Sequence, residues 1–139
     1  MRLTVLALVF ATPAAAWETT VGRVCTLAHD APQASVRLTY DPAVPEYSIT
    51  VTRTGDWRPE PVFSIAFQGP AGLTISTNRH QIQGPSISVT DSGFGNVLNG
   101  LEFNETATAI LGSQAVSVSL AGAAEPVQAF RACTSAPTA

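Results

Sequence analysis

The sequence predicts a mostly β domain, a β-sandwich or flattened barrel of about seven or eight short strands with two short helices. Three features lead to this prediction. Apolar and polar residues alternate in a succession of short segments, and a period of two indicates strands with one buried face. Glycine and proline, ten of each in 139 residues, separate these segments. Two cysteines near the ends of the chain indicate a small domain held by one disulfide.

Six segments carry a clear alternation, and a seventh carries a weaker one. The clear segments are residues 36–40, 47–52, 63–67, 73–76, 86–90 and 116–120. The weaker segment, residues 21–27, contains Cys25. Glycine and proline between the segments predict tight turns. Strands this short, with a turn about every ten residues, are typical of sandwiches and barrels.

One short helix is predicted before the last strand. Asn104 has a side chain suited to capping a helix over residues 105–111, and Gly112 fits the left-handed residue that ends one. Asn104 also begins the sequence Asn-Glu-Thr, which matches a glycosylation acceptor. We interpret it as the helix cap, because the leader sequence is of a bacterial type.

A second helix, the last element, is predicted over residues 126–132. Its proline fits the first turn, where the missing N–H costs nothing. Val127 and Phe130 would face the core, and the helix would bring Cys133 to the strand of Cys25. Two cysteines in an exported chain predict a structural disulfide, which would close a loop of about 100 residues and stabilise the fold by about 4–5 kcal/mol. The alternative is two free thiols.

Residues 1–16 have the features of a signal peptide. Arg2 supplies a positive charge, residues 3–11 form a short apolar run, and three alanines before Trp17 match the small-residue cleavage pattern. The run is shorter than the roughly 20 apolar residues that span a bilayer. We therefore expect a periplasmic or secreted protein, with no membrane insertion after cleavage.

The rest of the chain is predicted to form a single β-rich domain, residues 17–133, with a flexible tail, residues 134–139. The sequence has a formal net charge of −3 and no lysine. This balance excludes nucleic acid as a partner, because nucleic-acid binding selects a basic face. The sequence has no Cys-x-x-Cys motif and no histidine or cysteine spacing typical of a metal site, so we expect no metal and no other cofactor.

The first candidate binding cluster combines Asn78, Arg79 and His80 with Asp91. If the strands that precede Asn78 and Asp91 pair with each other, their ends fall on one rim. Histidine is the side chain that titrates near neutral pH, so the functional interpretation is a site for a small anion or polar ligand. The structural alternative is a solvated hairpin loop.

The second candidate is the glycine- and asparagine-rich segment 93–104. One interpretation is a bulged or bent strand, in which the glycines supply the unusual backbone angles. The other is a binding loop that presents the side-chain amides of Asn96 and Asn99 on a rigid scaffold. The sequence leaves both open.

The third candidate is Trp57, which lies beside Arg58 in a predicted loop. An exposed tryptophan next to an arginine is typical of a contact hot spot. The alternative is that Trp57 folds over the edge of a sheet.

A serine hydrolase is a remote alternative. His29, Asp41 or Asp56, and Ser92 follow the order of the chymotrypsin-type triad. Thr90 and Phe94 stand where two glycines are expected around that serine, and the chain is about half the size that the double barrel of this class needs. We therefore assign no catalytic residue and expect a protein that is not an enzyme.

The mature chain resembles a set of small uncharacterised exported proteins of alphaproteobacteria. The residues that carry this resemblance are Trp17, Cys25 and the segments 78–80, 93–97, 101–104 and 129–133. The segment 116–122, leading into the last helix, is similar to the invasion-associated locus B family of periplasmic β-rich domains. The resemblance implies a β-rich fold and a location in the cell envelope, and it transfers no catalytic residue.

These observations favour a non-catalytic binding or envelope-interaction protein. Its partner would be an envelope protein or a small polar ligand. A small exported protease inhibitor is the alternative, since a rigid loop on a disulfide-bonded β domain can enter an enzyme cleft.

Overall fold

The computed structural model describes Thr4 and residues 16–136 of the chain. The strands of this part are β1 (Glu18–Thr20), β2 (Cys25–Asp30), β3 (Ala34–Asp41), β4 (Glu46–Arg53), β5 (Phe63–Gln68), β6 (Leu73–Thr77), β7 (Gln81–Gln83), β8 (Ser86–Asp91), β9 (Thr106–Leu111) and β10 (Gln114–Ser119). The helices are α1 (Gly95–Phe103), between β8 and β9, and α2 (Ala124–Ser135), the last element. The predicted mostly β fold class is confirmed. The strands outnumber the predicted segments because β1 and β7 are too short to show alternation and because β9 falls on residues for which a helix is predicted.

The strands form two antiparallel sheets that pack as a β-sandwich. Sheet A has six strands in the order β1-β2-β3-β4-β8-β7, and sheet B has four in the order β10-β9-β5-β6. The alternation read from the sequence sets which side chains face inward. Leu38 and Ile49, for example, lie opposite each other on neighbouring strands of sheet A and are both buried. Ile65 and Phe67 of β5 are buried from the side of sheet B.

Helix α2 closes one end of the sandwich and is tied to sheet A. Val127 and Phe130 have no exposed surface, as predicted, and the helix packs against β1 and β2. The predicted disulfide is present between Cys25 and Cys133. The helix ends at Ser135, beyond the predicted end, and the hydroxyl of Ser135 donates to the carbonyl of Arg131 at 2.8 Å.

The predicted helix over residues 105–111 is wrong, because these residues form β9. Ala107 and Ala109 alternate with threonines and face the core, and β9 pairs with β10 on one side and β5 on the other. Gly112 has a φ of 60°, as expected for a left-handed residue, but it serves the tight turn between β9 and β10. The left-handed glycine was therefore identified correctly and assigned to the wrong element.

The segment 93–104 is neither a bent strand nor a loop over most of its length, because residues 95–103 form helix α1. Glycine and asparagine are poor helix formers, so the helix is held by packing rather than by propensity. Val97, Leu98 and Leu101 are buried on one face of α1. On the same face, Gly100 lies directly against the ring of Phe67, where any Cβ would overlap the ring.

Asn104 follows α1 and is a buried structural residue. It is 8% exposed. Its side-chain oxygen accepts a hydrogen bond from the N–H of Ala71 at 3.0 Å. Its side-chain nitrogen donates to the carbonyls of Ala71 and Gly100, both at 3.0 Å. Asn104 therefore joins the end of α1 to the turn between β5 and β6, rather than beginning a helix.

The predicted signal peptide, residues 1–16, lies outside the described residues except for Thr4 and Ala16. The end of the predicted tail, residues 137–139, lies outside them as well. In the part of the chain that the structure describes, no helix has the length and apolar character needed to cross a membrane.

Candidate functional site

A cleft of about 500 Å³ opens between the two sheets at one side of the sandwich. We call it the interlayer cleft. Strands β4 and β8 of sheet A form one wall, β5 and β6 of sheet B form the other, and the start of α1 closes one end. Its apolar lining includes Ile49, Phe63, Ile65, Ile75, Val89 and Phe94.

The sandwich is closed on the side opposite the cleft. There, two side chains from the sheet A layer reach the edge strand β10. The indole N–H of Trp17 donates to the carbonyl of Ser119 at 3.1 Å, and the amide of Gln33 donates to the carbonyl of Ser117 at 2.6 Å. These contacts bring the layers together and satisfy carbonyl groups of an edge strand, which would otherwise attract another chain.

On the cleft side, the inward-facing apolar residues are incompletely covered. Ile75 on β6 and Val89 on β8 are only partly buried, although both alternate with exposed or polar neighbours as core residues do. Gly93 and Gly95 also line the cleft, and the positions where their Cβ atoms would lie have no atom within 4 Å. The cleft is therefore open because the inward-facing side chains of sheet A and sheet B do not reach each other on this side of the sandwich.

Polar side chains surround the mouth of the interlayer cleft. Arg79, in the connection between β6 and β7, contacts Asp91 at the end of β8, with 3.4 Å between Nη2 and Oδ2. Their side chains are 73% and 43% exposed. The other carboxylate oxygen of Asp91 accepts the N–H of Ser92 at 2.7 Å. Thr77 also lines the mouth and accepts the N–H of Arg79 at 3.0 Å.

The first turn of α1 adds hydrogen-bond donors to this mouth. The first hydrogen bond of the helix runs from the N–H of Leu98 to the carbonyl of Phe94, so the N–H groups of Gly95, Asn96 and Val97 have no helical carbonyl to accept them. Phe94, in the N-cap position, makes no side-chain capping bond. The first turn contains no acidic residue. The mouth of the interlayer cleft therefore has several hydrogen-bond donors but one charged acceptor, the carboxylate of Asp91.

The structure brings together three of the residues singled out from the sequence. Arg79, Asp91 and Asn96 all line the interlayer cleft. The pairing expected between the strands before Asn78 and Asp91 is wrong, because β6 belongs to sheet B and β8 to sheet A. Their ends still meet because the connection through Arg79 crosses from one sheet to the other.

Three other candidates lie away from the cleft lining. Asn78 is exposed in the connection after β6. His80 bonds through Nε2 to the carbonyl of Glu60 at 2.9 Å. Asn99, on the outer side of α1, accepts a hydrogen bond from Arg131 of α2 at 2.8 Å, so its amide holds two helices together.

Trp57 is not an exposed contact residue, and the hot-spot interpretation is wrong. It is 3% exposed and packs edge-on against Phe63. The guanidinium of Arg53 covers its ring, with the central carbon 4.2 Å from the ring centroid. Removing Trp57 would therefore damage the core rather than a binding surface.

The groups of the remote hydrolase hypothesis are separated in the structure. His29 is buried and stacks on Trp17, with ring centroids 4.7 Å apart. The hydroxyl of Ser92 donates to its neighbour Asp91 at 3.4 Å. Within the described residues, neither histidine makes a hydrogen bond to a serine or a carboxylate, and no group of three histidine, cysteine or acidic residues is placed to hold a metal ion.

The apolar lining of the cleft was not identified from the sequence as part of a site. Ile75 and Val89 have the alternation of ordinary core residues. The one sequence signal near Ile75 is Arg79 in the short connection that follows β6. A charged side chain at this position indicates a solvent-exposed edge rather than the packed interior of the sandwich. Alternation states that a side chain points inward, but not whether the opposite layer reaches it.

In comparisons with known proteins, no family model, no curated protein and no solved structure matches this chain. The resemblance to exported alphaproteobacterial proteins therefore stays a prediction. The geometry of the interlayer cleft is the basis on which a function can be proposed.

Proposed function

We propose that this protein is a non-catalytic binding protein whose interlayer cleft takes a small amphipathic molecule. The apolar body of the ligand would lie between the sheets, and its polar head would lie at the mouth beside Arg79 and Asp91. The observation that carries this proposal is the one-sided closure of the sandwich. Side chains bridge the layers at β10, whereas the space between β6 and β8 is unfilled.

The size and lining of the cleft support a small-molecule ligand. Pockets for such ligands have volumes of roughly 300–1,000 Å³, are mostly apolar and carry a few polar groups that orient the ligand. The interlayer cleft, at about 500 Å³, has the apolar wall and the polar mouth of this class. Each methylene that a ligand buries there would contribute about 0.8 kcal/mol.

The disulfide supports a periplasmic or secreted location for the protein, which is also part of the proposal. Disulfides persist in oxidising compartments, such as the bacterial periplasm and the extracellular medium. The Cys25–Cys133 bond therefore supports export, and with it the proposed periplasmic or secreted location. Binding a small amphipathic molecule in such a compartment requires no nucleotide and no energy source.

Titration of the purified, disulfide-bonded protein with N-phenyl-1-naphthylamine tests the proposal. This neutral dye fluoresces strongly only in apolar surroundings, and we expect a saturable increase in fluorescence. Ile75→Phe places a ring in the cleft, and we expect it to weaken dye binding by at least about tenfold, a loss of about 1.4 kcal/mol.

Ile110→Phe is the matched control. Ile110 lies on the same sheet, opposite the outward-facing Ser64, so its side chain points away from the cleft. This variant should bind the dye within about twofold of the original protein. Thermal unfolding of both variants checks that each remains folded. Absence of saturable dye binding to the original protein, or equal loss in both variants, would contradict the proposed function.

A further inference from the structure

Building on the proposed function, we propose that the ligand head is a zwitterion, with an ammonium and a carboxylate group close together as in an α-amino acid. The apolar body would then be a large, preferably aromatic, side chain. Arg79 would receive the carboxylate, and Asp91 would receive the ammonium group.

The charges of the cleft are balanced. Of the described residues that line it, Arg79 is the single cation and Asp91 is the single anion. A ligand that carries a single charge would pair with one of these two side chains and separate it from the other, to which it would offer no new partner. A ligand that carries one charge of each sign would satisfy both.

The contact between Arg79 and Asp91 is easily replaced. Its 3.4 Å separation is long for a charge-assisted hydrogen bond, and both side chains are substantially exposed. Exposed pairs of this kind contribute little to stability. The two side chains can therefore separate to accept a head group at little cost, each exchanging a weak partner for a stronger one.

Each charged side chain has unused hydrogen-bonding capacity. In the described part of the chain, the guanidinium of Arg79, which has five N–H donors, makes one side-chain bond, to Asp91. Asp91 Oδ1 is held by the N–H of Ser92, so the carboxylate is oriented while Oδ2 has only the long contact to Arg79. Asn96, which also lines the cleft, adds a side-chain amide donor.

The apolar part of the cleft suits an aromatic body. Phe63 and Phe94 both line it, and Phe94 in turn stacks against Tyr47 with ring centroids 5.4 Å apart. Aromatic rings pair in offset or edge-on arrangements that contribute beyond their buried area. We therefore expect aromatic amino acids to bind more tightly than small ones of the same charge.

Three ligands with the same indole body separate the contributions of the two charges. Tryptophan carries both charges, tryptamine carries only the ammonium, and indole-3-propionate carries only the carboxylate. Measured by displacement of N-phenyl-1-naphthylamine and by calorimetry, tryptophan should bind at least about tenfold more tightly than either analogue.

Two variants assign the charges to the two side chains. Arg79→Gln should weaken tryptophan and indole-3-propionate but leave tryptamine unchanged. Asp91→Asn should weaken tryptophan and tryptamine but leave indole-3-propionate unchanged or tighter. Arg37→Gln and Asp30→Asn, at exposed positions of sheet A, are the matched controls and should change none of the three.

The outcomes distinguish this inference from the proposed function. Dye binding without any preference among the three indoles, or with the preference unchanged in Arg79→Gln and Asp91→Asn, would overturn the zwitterion and leave the cleft as a binding site. Dye binding that no indole displaces would also overturn it. Failure of the dye itself to bind would overturn the proposed function, and the inference with it.

Discussion

Gln114 is a buried polar side chain whose hydrogen-bonding groups are all used. Its oxygen accepts from the guanidinium of Arg53 at 2.9 Å and from the N–H of Arg58 at 2.7 Å. Its nitrogen donates to the carbonyls of Arg58 and Leu111 at 2.9 and 3.0 Å. The side chain therefore attaches the connection between β4 and β5, which carries Trp57, to sheet B.

Gln114→Leu should destabilise the protein by about 3 kcal/mol, because the buried carbonyl of Leu111 and the partly buried N–H and carbonyl of Arg58 lose their partner. The free energy of unfolding in urea measures this loss. Gln83→Leu is the control, since Gln83 is exposed on β7, and it should change stability by less than about 0.5 kcal/mol. A loss below about 1 kcal/mol in Gln114→Leu would show that water replaces the amide.

For single residues, the charged side chains of the candidate site were predictable from the sequence, but the burial and contacts of several other side chains were not. Arg79 and Asp91 were singled out together, and they do meet. Trp57 and Gln114 show the limit. Nothing local distinguishes a loop tryptophan under an arginine from one in solvent, because the covering side chain, Arg53, depends on how the connection folds back.

Helix α1 contains Gly100, the glycine of this chain with the least space for an added methyl group. Gly100→Ala would place a Cβ into the ring of the buried Phe67, and overpacking of this kind costs about 1–3 kcal/mol. After the gain in helix propensity of about 1 kcal/mol, we expect a net loss of up to about 2 kcal/mol in the free energy of unfolding.

Gly95→Ala makes the same substitution on the same helix where space is open. It should leave stability unchanged or raise it by up to about 1 kcal/mol. Urea unfolding of the two variants under one set of conditions makes the comparison. Equal effects at both positions would contradict the proposed role of the contact between Gly100 and Phe67.

At the scale of elements, alternation predicted the longer strands well and failed where packing overrides propensity. Residues 95–103 form a helix despite their glycines and asparagines, because neighbouring strands and α2 supply the stabilisation. Residues 106–111 form a strand although alanine favours helices, because they pair along their whole length with β5 on one side and β10 on the other. Both errors arise from contacts between residues far apart in the sequence.

The disulfide is the covalent link of the whole molecule, joining the first long strand to the last helix over a sequence separation of 108 residues. The double variant Cys25→Ser and Cys133→Ser should lose about 4–5 kcal/mol, because the unfolded chain regains the entropy of the open loop. Such a loss is a large part of the 5–15 kcal/mol typical of a domain.

Urea unfolding with and without dithiothreitol measures this contribution. The reductant should lower the midpoint for the original protein and have no effect on the double-serine variant. A midpoint that is the same for both proteins in oxidising buffer would contradict the prediction.

At the scale of the whole molecule, the sandwich, the terminal helix and the disulfide were predictable, whereas the cleft was not. Periodicity shows that each strand has an inner face, and the cysteines indicate which ends meet. The two layers are joined on the side where Trp17 and Gln33 reach across to β10. On the cleft side these side chains do not reach across, and the layers stay apart. No pattern within a single segment carries that information.

The burial of Asn104 has a consequence for producing the protein. A eukaryotic cell that exports this chain would recognise Asn104-Glu105-Thr106 during translocation and attach an oligosaccharide before folding. The sugar could not fit where the amide meets Ala71 and Gly100, so modified molecules would be retained by quality control. Replacing Thr106 with valine removes the acceptor sequence and leaves the buried amide in place.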